Sequence, residues 1–185
     1  MRLFVAVNFD DIVLGAIRAA IDDFPVANPP WRWAAPETWH VTLKFIGERD
    51  KDELPAVASA LEAVRARHQA FYVALRNFGA FPSLRSPRVL FYDLQSGTTE
   101  MAALAADVDG TLHDAIALER ETRDFHAHAT VARIKERLPG TILDRLSLVP
   151  ALSHPASRVS SFDLMESRLG RTGAQYSVVK KFALP

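Results

Sequence analysis

The chain repeats one short pattern. His40-Val41-Thr42-Leu43 recurs as His128-Ala129-Thr130-Val131, 88 residues later in a chain of 185. Each copy lies in a stretch that alternates as a strand does. In the first, Val41, Leu43 and Phe45 fall on one face, which leaves His40 and Thr42 on the other. In the second, His128 and Thr130 oppose Ala129 and Val131. A pattern repeated at nearly half the chain length predicts two lobes related by a pseudo-two-fold axis. If the matching strands face one another across a cleft, two imidazoles and two hydroxyls converge there.

The remaining pattern fits that plan. Residues 3–7 form a continuous apolar run, which predicts a buried strand. Residues 10–24 carry apolar side chains at helical spacing behind a capping Asp10 or Asp11. Prolines 25, 29 and 30 mark a loop, and residues 39–46 a strand. A helix over 52–68 takes Pro55 in its first turn. Strands at 71–75 and 89–92 flank a loop holding Pro82, Ser83, Arg85 and Pro87. A helix at 99–116, a strand at 128–134 and a short helix at 141–148 follow. Strands near 159–169 and 174–183 close the chain, with Gly170 and Gly173 at the hairpin turn. Helices and strands intermix without a regular parallel βαβ run. The predicted class is α+β: mostly antiparallel sheets with flanking helices, in one bilobal domain over 1–185.

Composition narrows the chemistry. There is no cysteine, which removes disulfides, thiolate nucleophiles and cysteine-based zinc sites. The 22 acidic and 22 basic residues balance, whereas a protein that grips a long duplex usually carries a basic surplus. A single phosphate or a strand end remains within reach of a few local arginines. The first residues lack a signal-peptide pattern, and no stretch approaches a membrane span. We therefore expect a cytoplasmic protein with no membrane partner, acting as a monomer.

Two histidines with two threonines suit one kind of proton traffic. Opening a cyclic phosphate needs a water deprotonated on one side and a leaving alkoxide protonated on the other. Imidazole does either job near neutral pH, and hydroxyls can hold the nonbridging oxygens. One His-x-Thr alone says little, since both residue types are ordinary in strands. The pairing at half-chain spacing is what points to this chemistry.

Longer segments resemble the 2H phosphoesterase superfamily, and within it the RNA 2′,3′-cyclic phosphodiesterases, once called 2′-5′ RNA ligases. The similar segments are Met1 to Ala6, Trp33 to Glu48, Phe78-Gly79-Ala80-Phe81-Pro82, Pro87 to Leu90 and Phe125 to Arg133. Ser167-Arg168-Leu169 with Gly173 to Tyr176 completes the set. The resemblance implies two α+β lobes around a cleft, His40 as proton donor, His128 as acceptor, and Thr42 and Thr130 on the phosphate. The implied reaction is hydrolysis of an RNA 3′-terminal 2′,3′-cyclic phosphate to a 2′-phosphate, with no cofactor and no metal. RNA ends or small cyclic nucleotides would be the substrates. Ala127 departs from the family, which commonly has proline before the second histidine.

Other residues stay open at this stage. Alternation puts Arg133 opposite His128, so it reaches the phosphate only if the strand bulges; an ion pair is the equal alternative. His126 shares parity with His128, but no carboxylate or cysteine cluster completes a metal site. Trp31, Trp33 and Trp39 are core or base-stacking residues, with core favoured for at least two. Tyr176 lines the cleft or packs. Arg85 and Arg88 border a loop near the RNA backbone or are merely solvated. His68, His113 and His154 carry no motif. A nucleotide-binding module without turnover, and a ligase running the reverse reaction, are the competing functions.

Overall fold

The computed structural model of the chain describes residues 1–170 and 173–185. Eight strands and four helices alternate along it. They are β1 (Arg2–Asn8), α1 (Asp11–Asp22), β2 (His40–Glu48), α2 (Leu54–Arg65), β3 (Phe71–Phe81) and β4 (Val89–Ser96). Then come α3 (Thr98–Ile116), β5 (His128–Arg133), α4 (Gly140–Leu146), β6 (Ser157–Val159), β7 (Ser161–Gly170) and β8 (Gly173–Ala183). Asp10 caps α1 by accepting from the Val13 amide at 3.1 Å. Pro55 occupies the first turn of α2, where its missing N–H costs nothing. Two elements run longer than their apolar patterns: β3 extends to Phe81 and β4 to Ser96. The short β6 pairs with β3 and was not separately visible in the sequence. The strands β7 and β8 pair from Ser161↔Ala183 to Gly170↔Gly173, and the turn expected between those glycines falls on residues 171–172, outside the described residues.

All eight strands join one antiparallel sheet in the order β6-β3-β4-β5-β2-β1-β7-β8. The two motif strands, β5 and β2, are the central neighbours. They lie side by side, where the sequence led us to expect strands facing across a gap, and pair at Val41↔Ala129. Four strands lie on each side of this seam, which makes the two lobes two halves of one sheet. The 88-residue offset extends beyond the motifs: it carries β1 nearly onto β4, α1 onto α3, β2 onto β5 and β3 onto β7. The third strands are exchanged. β3, from the first half of the chain, pairs with β4, and β7, from the second half, pairs with β1.

One sheet face is covered. Leu3, Val5, Val7, Val41 and Leu43 pack with Val13 and Ile17 of α1, Leu61 and Val64 of α2, and Leu104 and Val108 of α3 in a single core. Burying these side chains is the main driving force for the fold, at roughly 1.5–3 kcal/mol per large aliphatic residue. The opposite face stays open over the seam. Beside it Phe4, Ala6 and Met165 form a small separate apolar cluster against Tyr176. No described helix is long and apolar enough to cross a membrane.

Candidate active site

The two motif strands repeat an irregularity as well as a sequence. In β2 an extra residue, Leu43, stands between the pairs Ala6↔Thr42 and Val5↔Lys44. In β5 an extra residue, Val131, stands between Phe91↔Thr130 and Leu90↔Ala132. Each is a β-bulge immediately after the threonine, and each resets the alternation. Both strands consequently share one burial pattern, with two consecutive buried residues and then an exposed one. The reset corrects the expected faces. Phe45 leaves the Val41 and Leu43 face and opens onto the cleft with 64% exposure. Lys44 turns inward instead, to meet Asp109 of α3 and to donate to the Glu119 carbonyl at 2.7 Å. Arg133, the counterpart of Phe45, comes round to the cleft beside His128.

His40, Thr42, His128, Thr130 and Arg133 all line one cleft of about 1110 Å³. Continuing the Val41↔Ala129 register by one residue each way sets His40 opposite Thr130 and Thr42 opposite His128. Aromatic rings flank each imidazole. Phe4 and Tyr176 lie 5.1 and 5.4 Å from His40, centroid to centroid, and Phe81 and Phe91 lie 5.0 and 5.1 Å from His128. Gly79 makes room for one of these rings. It is the direct cross-strand neighbour of Phe91, and a Cβ on it would stand 2.6 Å from the Phe91 ring.

The two imidazoles are tied differently. His128 Nδ1 sits 2.7 Å from the His126 carbonyl, which can only accept. The proton therefore resides on Nδ1, and Nε2 of neutral His128 presents a lone pair. His40 Nε2 lies 3.1 Å from the Thr42 hydroxyl. Its Nδ1 is buried without a partner in hydrogen-bonding geometry, although the Thr38 backbone close by favours a proton there. Burial is the dominant influence and lowers the His40 pKa to about 4; positive charge on His128 and Arg133 pushes the same way. Burial also lowers the His128 pKa, with His126 and Arg133 adding to it and the bond to the His126 backbone opposing. A cleft that holds cations and disfavours charged imidazoles is built to receive an anion.

The remaining sequence candidates separate clearly. Trp31 and Trp39 are buried, as favoured, while Trp33 is half-buried; Trp31 and Trp33 also line the cleft and stack edge-on around Phe24. Tyr176 lines the cleft. The His126 ring lies 5.9 Å from that of His128, and no third histidine, aspartate or glutamate gathers with them among the described residues. His68 bonds Asp107, His113 the Leu118 carbonyl, and His154 both the Leu75 amide and the Pro155 carbonyl, all away from the cleft. Sequence reasoning missed Phe4, Phe45, Phe81, Phe91 and Gly79. The repeated bulge is what places Phe45, and no sequence signal marks it.

Comparisons with known proteins agree with this architecture. Residues 13–91 match the family described as LigT like Phosphoesterase. An RNA 2′,3′-cyclic phosphodiesterase of Thermus thermophilus is 31% identical, over 100% of this chain and 90% of its own length. A protein of the same description from Archaeoglobus fulgidus is 30% identical, over 98% and 99%. A crystal structure of a Thermus thermophilus protein superposes with a TM-score of 0.81 at 29% identity, covering 100% of this chain and 98% of that one. The chain therefore belongs to the LigT-like phosphoesterases, enzymes of the 2H superfamily whose paired His-x-Thr motifs it carries.

Proposed function

We propose that the chain, one bilobal domain, hydrolyses the 2′,3′-cyclic phosphate at an RNA 3′ end to a 2′-phosphate, using His40 and His128 and no metal. The observation that carries this reading is the antiparallel pairing of the two His-x-Thr strands over one cleft. That pairing gives a phosphorus atom an imidazole and a hydroxyl on either side. His128, its tautomer held by the His126 carbonyl, takes a proton from water on Nε2 as the water oxygen bonds to phosphorus. The P–O3′ bond breaks, and protonated His40 gives its proton to the departing O3′. The product is a 2′-phosphomonoester with a free 3′-hydroxyl, and the two imidazoles reset by exchange with solvent. Thr42 and Thr130 donate to the nonbridging oxygens, and Arg133 offsets the charge that builds there. All five side chains come from one chain, so a single copy suffices.

His40 is neutral in the empty cleft at neutral pH and must gain its proton with the substrate. An anion between His40, His128 and Arg133 offsets both the burial that chiefly keeps His40 neutral and the weaker repulsion from His128 and Arg133. The relatives described as RNA 2′,3′-cyclic phosphodiesterases support the substrate class. The test is to incubate purified protein with an oligoribonucleotide ending in a 2′,3′-cyclic phosphate, with and without EDTA. A 2′-phosphate formed at equal rates is expected. A 3′-phosphate product, or activity lost to EDTA and restored by zinc or manganese, would overturn the mechanism. Binding without any turnover would favour the nucleotide-binding module.

A further inference from the structure

Eight cations on this electrically balanced chain each reach a carboxylate: Lys44, Arg49, Arg65, Arg67, Arg120, Arg123, Arg168 and Lys180. Others, such as Arg18, Lys51 and Arg158, form no ion pair among the described residues, and in one region such cations gather. Arg133, Lys135 and Arg137 follow one another along the exit from β5, and Arg85 and Arg88 stand on the β3–β4 loop. All five are exposed, and none forms an ion pair among the described residues. They do not lie scattered. Arg133 and Lys135 line the active-site cleft together with Glu136, and Glu136 also lines a second, shallow pocket of about 290 Å³ with Arg85, Arg88 and Arg137. The two depressions are thus neighbours separated by the Glu136 wall, with cations lining each.

The platform is rigid. Val89 pairs with Arg133, the Ile134 amide donates to the Arg88 carbonyl at 2.8 Å, and Arg88 Nη1 donates to the Lys135 carbonyl at 2.9 Å. Arg88 is therefore partly committed to holding the two segments together, whereas no hydrogen bond occupies the Arg85 or Arg137 side chain among the described residues. Unpaired guanidinium groups carried on a tied backbone are what a polyanionic strand needs, and a mononucleotide would leave them idle.

We propose that this second pocket is a subsite for the RNA backbone upstream of the cyclic end, with Arg85 and Arg137 contacting phosphates of the preceding nucleotides. The inference rests on the cyclic-phosphodiesterase reading of the main cleft and deepens it: the substrate is an oligonucleotide end, and a free cyclic mononucleotide uses only part of the surface. A local cluster of cations would also let a chain of zero net charge hold RNA.

The experiment compares a nucleoside 2′,3′-cyclic phosphate with a short oligoribonucleotide bearing the same end, in wild type and in the double variant Arg85→Ala/Arg137→Ala. Two phosphate contacts on a single strand predict that log kcat/KM for the oligonucleotide falls with log salt with a slope near −1.4, about a sevenfold loss between roughly 50 and 200 mM. The mononucleotide should lack that extra slope. In the double variant the oligonucleotide should lose its advantage and its extra salt slope, while turnover of the mononucleotide is unchanged. Equal kcat/KM for the two substrates in wild type, or an advantage that survives the double substitution, overturns the subsite and leaves the main cleft's reading intact. Failure to open either substrate removes both.

Discussion

A cyclic phosphate should bring a proton into the cleft with it, and His40 should be where that proton goes. The free imidazole has a pKa of about 4, so at about pH 6 only about 1% of molecules carry the proton. The substrate is a monoanion that does not itself titrate in this range. Once it lies between His40 and Arg133, the group is useful as an acid only if its pKa has risen to near the working pH. Substrate affinity should therefore improve about tenfold for each unit of pH lowered between the bound and the free pKa. At about pH 6 the uptake should approach one proton per site. Turnover can be slowed by about 10²–10⁴ with His128→Asn, which removes the base and keeps His40. Calorimetric titration of that variant with a nucleoside 2′,3′-cyclic phosphate, in buffers of different ionisation enthalpy, reads the uptake directly. Adding His40→Gln should abolish it. Binding by His128→Asn with no proton uptake, or uptake that survives loss of His40, would refute this account of the acid.

In turnover, His40→Ala and His128→Ala should each cost on the order of 10²–10⁴ in rate, and the double variant little more, because both protons move in one step. The bell-shaped pH profile should lose its alkaline limb in the first and its acidic limb in the second. Gly79→Ala should push the Phe91 ring against His128 and lower kcat while leaving the urea midpoint less affected, as paired activity and unfolding measurements would show. Lys44→Ala, which removes the buried one of Asp109's two cationic partners and leaves it Arg120 and the Glu121 amide, should cost about 1–3 kcal/mol in urea unfolding, whereas Arg120→Ala, at the exposed partner, should cost about 1 kcal/mol or less. Because the folded pKa of His40 lies below its ordinary value, its contribution to stability is complete above about pH 6.5 and fades as pH falls toward 4. Unfolding free energy should drop by about 2 kcal/mol between about pH 7 and pH 5, less in His40→Gln.

The residues that meet in the cleft were legible because they recur in an internal repeat, which a sequence displays directly. His40, Thr42, His128 and Thr130 precede their bulges, so plain alternation assigns them correctly. Phe45 and Lys44 follow a bulge, and alternation puts each on the wrong face. Arg133 shows the same limit: the sequence defined the condition under which it would reach the cleft, and only the register of β4 and β5 shows that condition met. The aromatic walls were hidden for another reason. Phe4, Phe81 and Phe91 sit in apolar runs, where nothing local distinguishes a side chain facing the core from one facing an imidazole. The side-by-side placement of the motif strands was equally out of reach, since β2 and β5 meet through a single described pair between segments far apart in the chain.

The exchange of β3 and β7 also orders events during folding. β1 must find β7, joining Arg2 to Ser167, before the half-sheet that carries His40 has its second neighbour. Such closure of a long loop is slow compared with forming a local hairpin, so the sheet is a late-assembling, high-contact-order structure. Neither half of a growing chain can finish alone, because each lends a strand to the other. A chain that stopped after Val159 would keep both His-x-Thr motifs, Arg133 and every helix, yet lack the strand that flanks β1 and the Tyr176 ring that walls His40. Activity in this molecule thus depends on β7 and β8 as much as on the histidines, and a form truncated after Val159 is expected to be inactive.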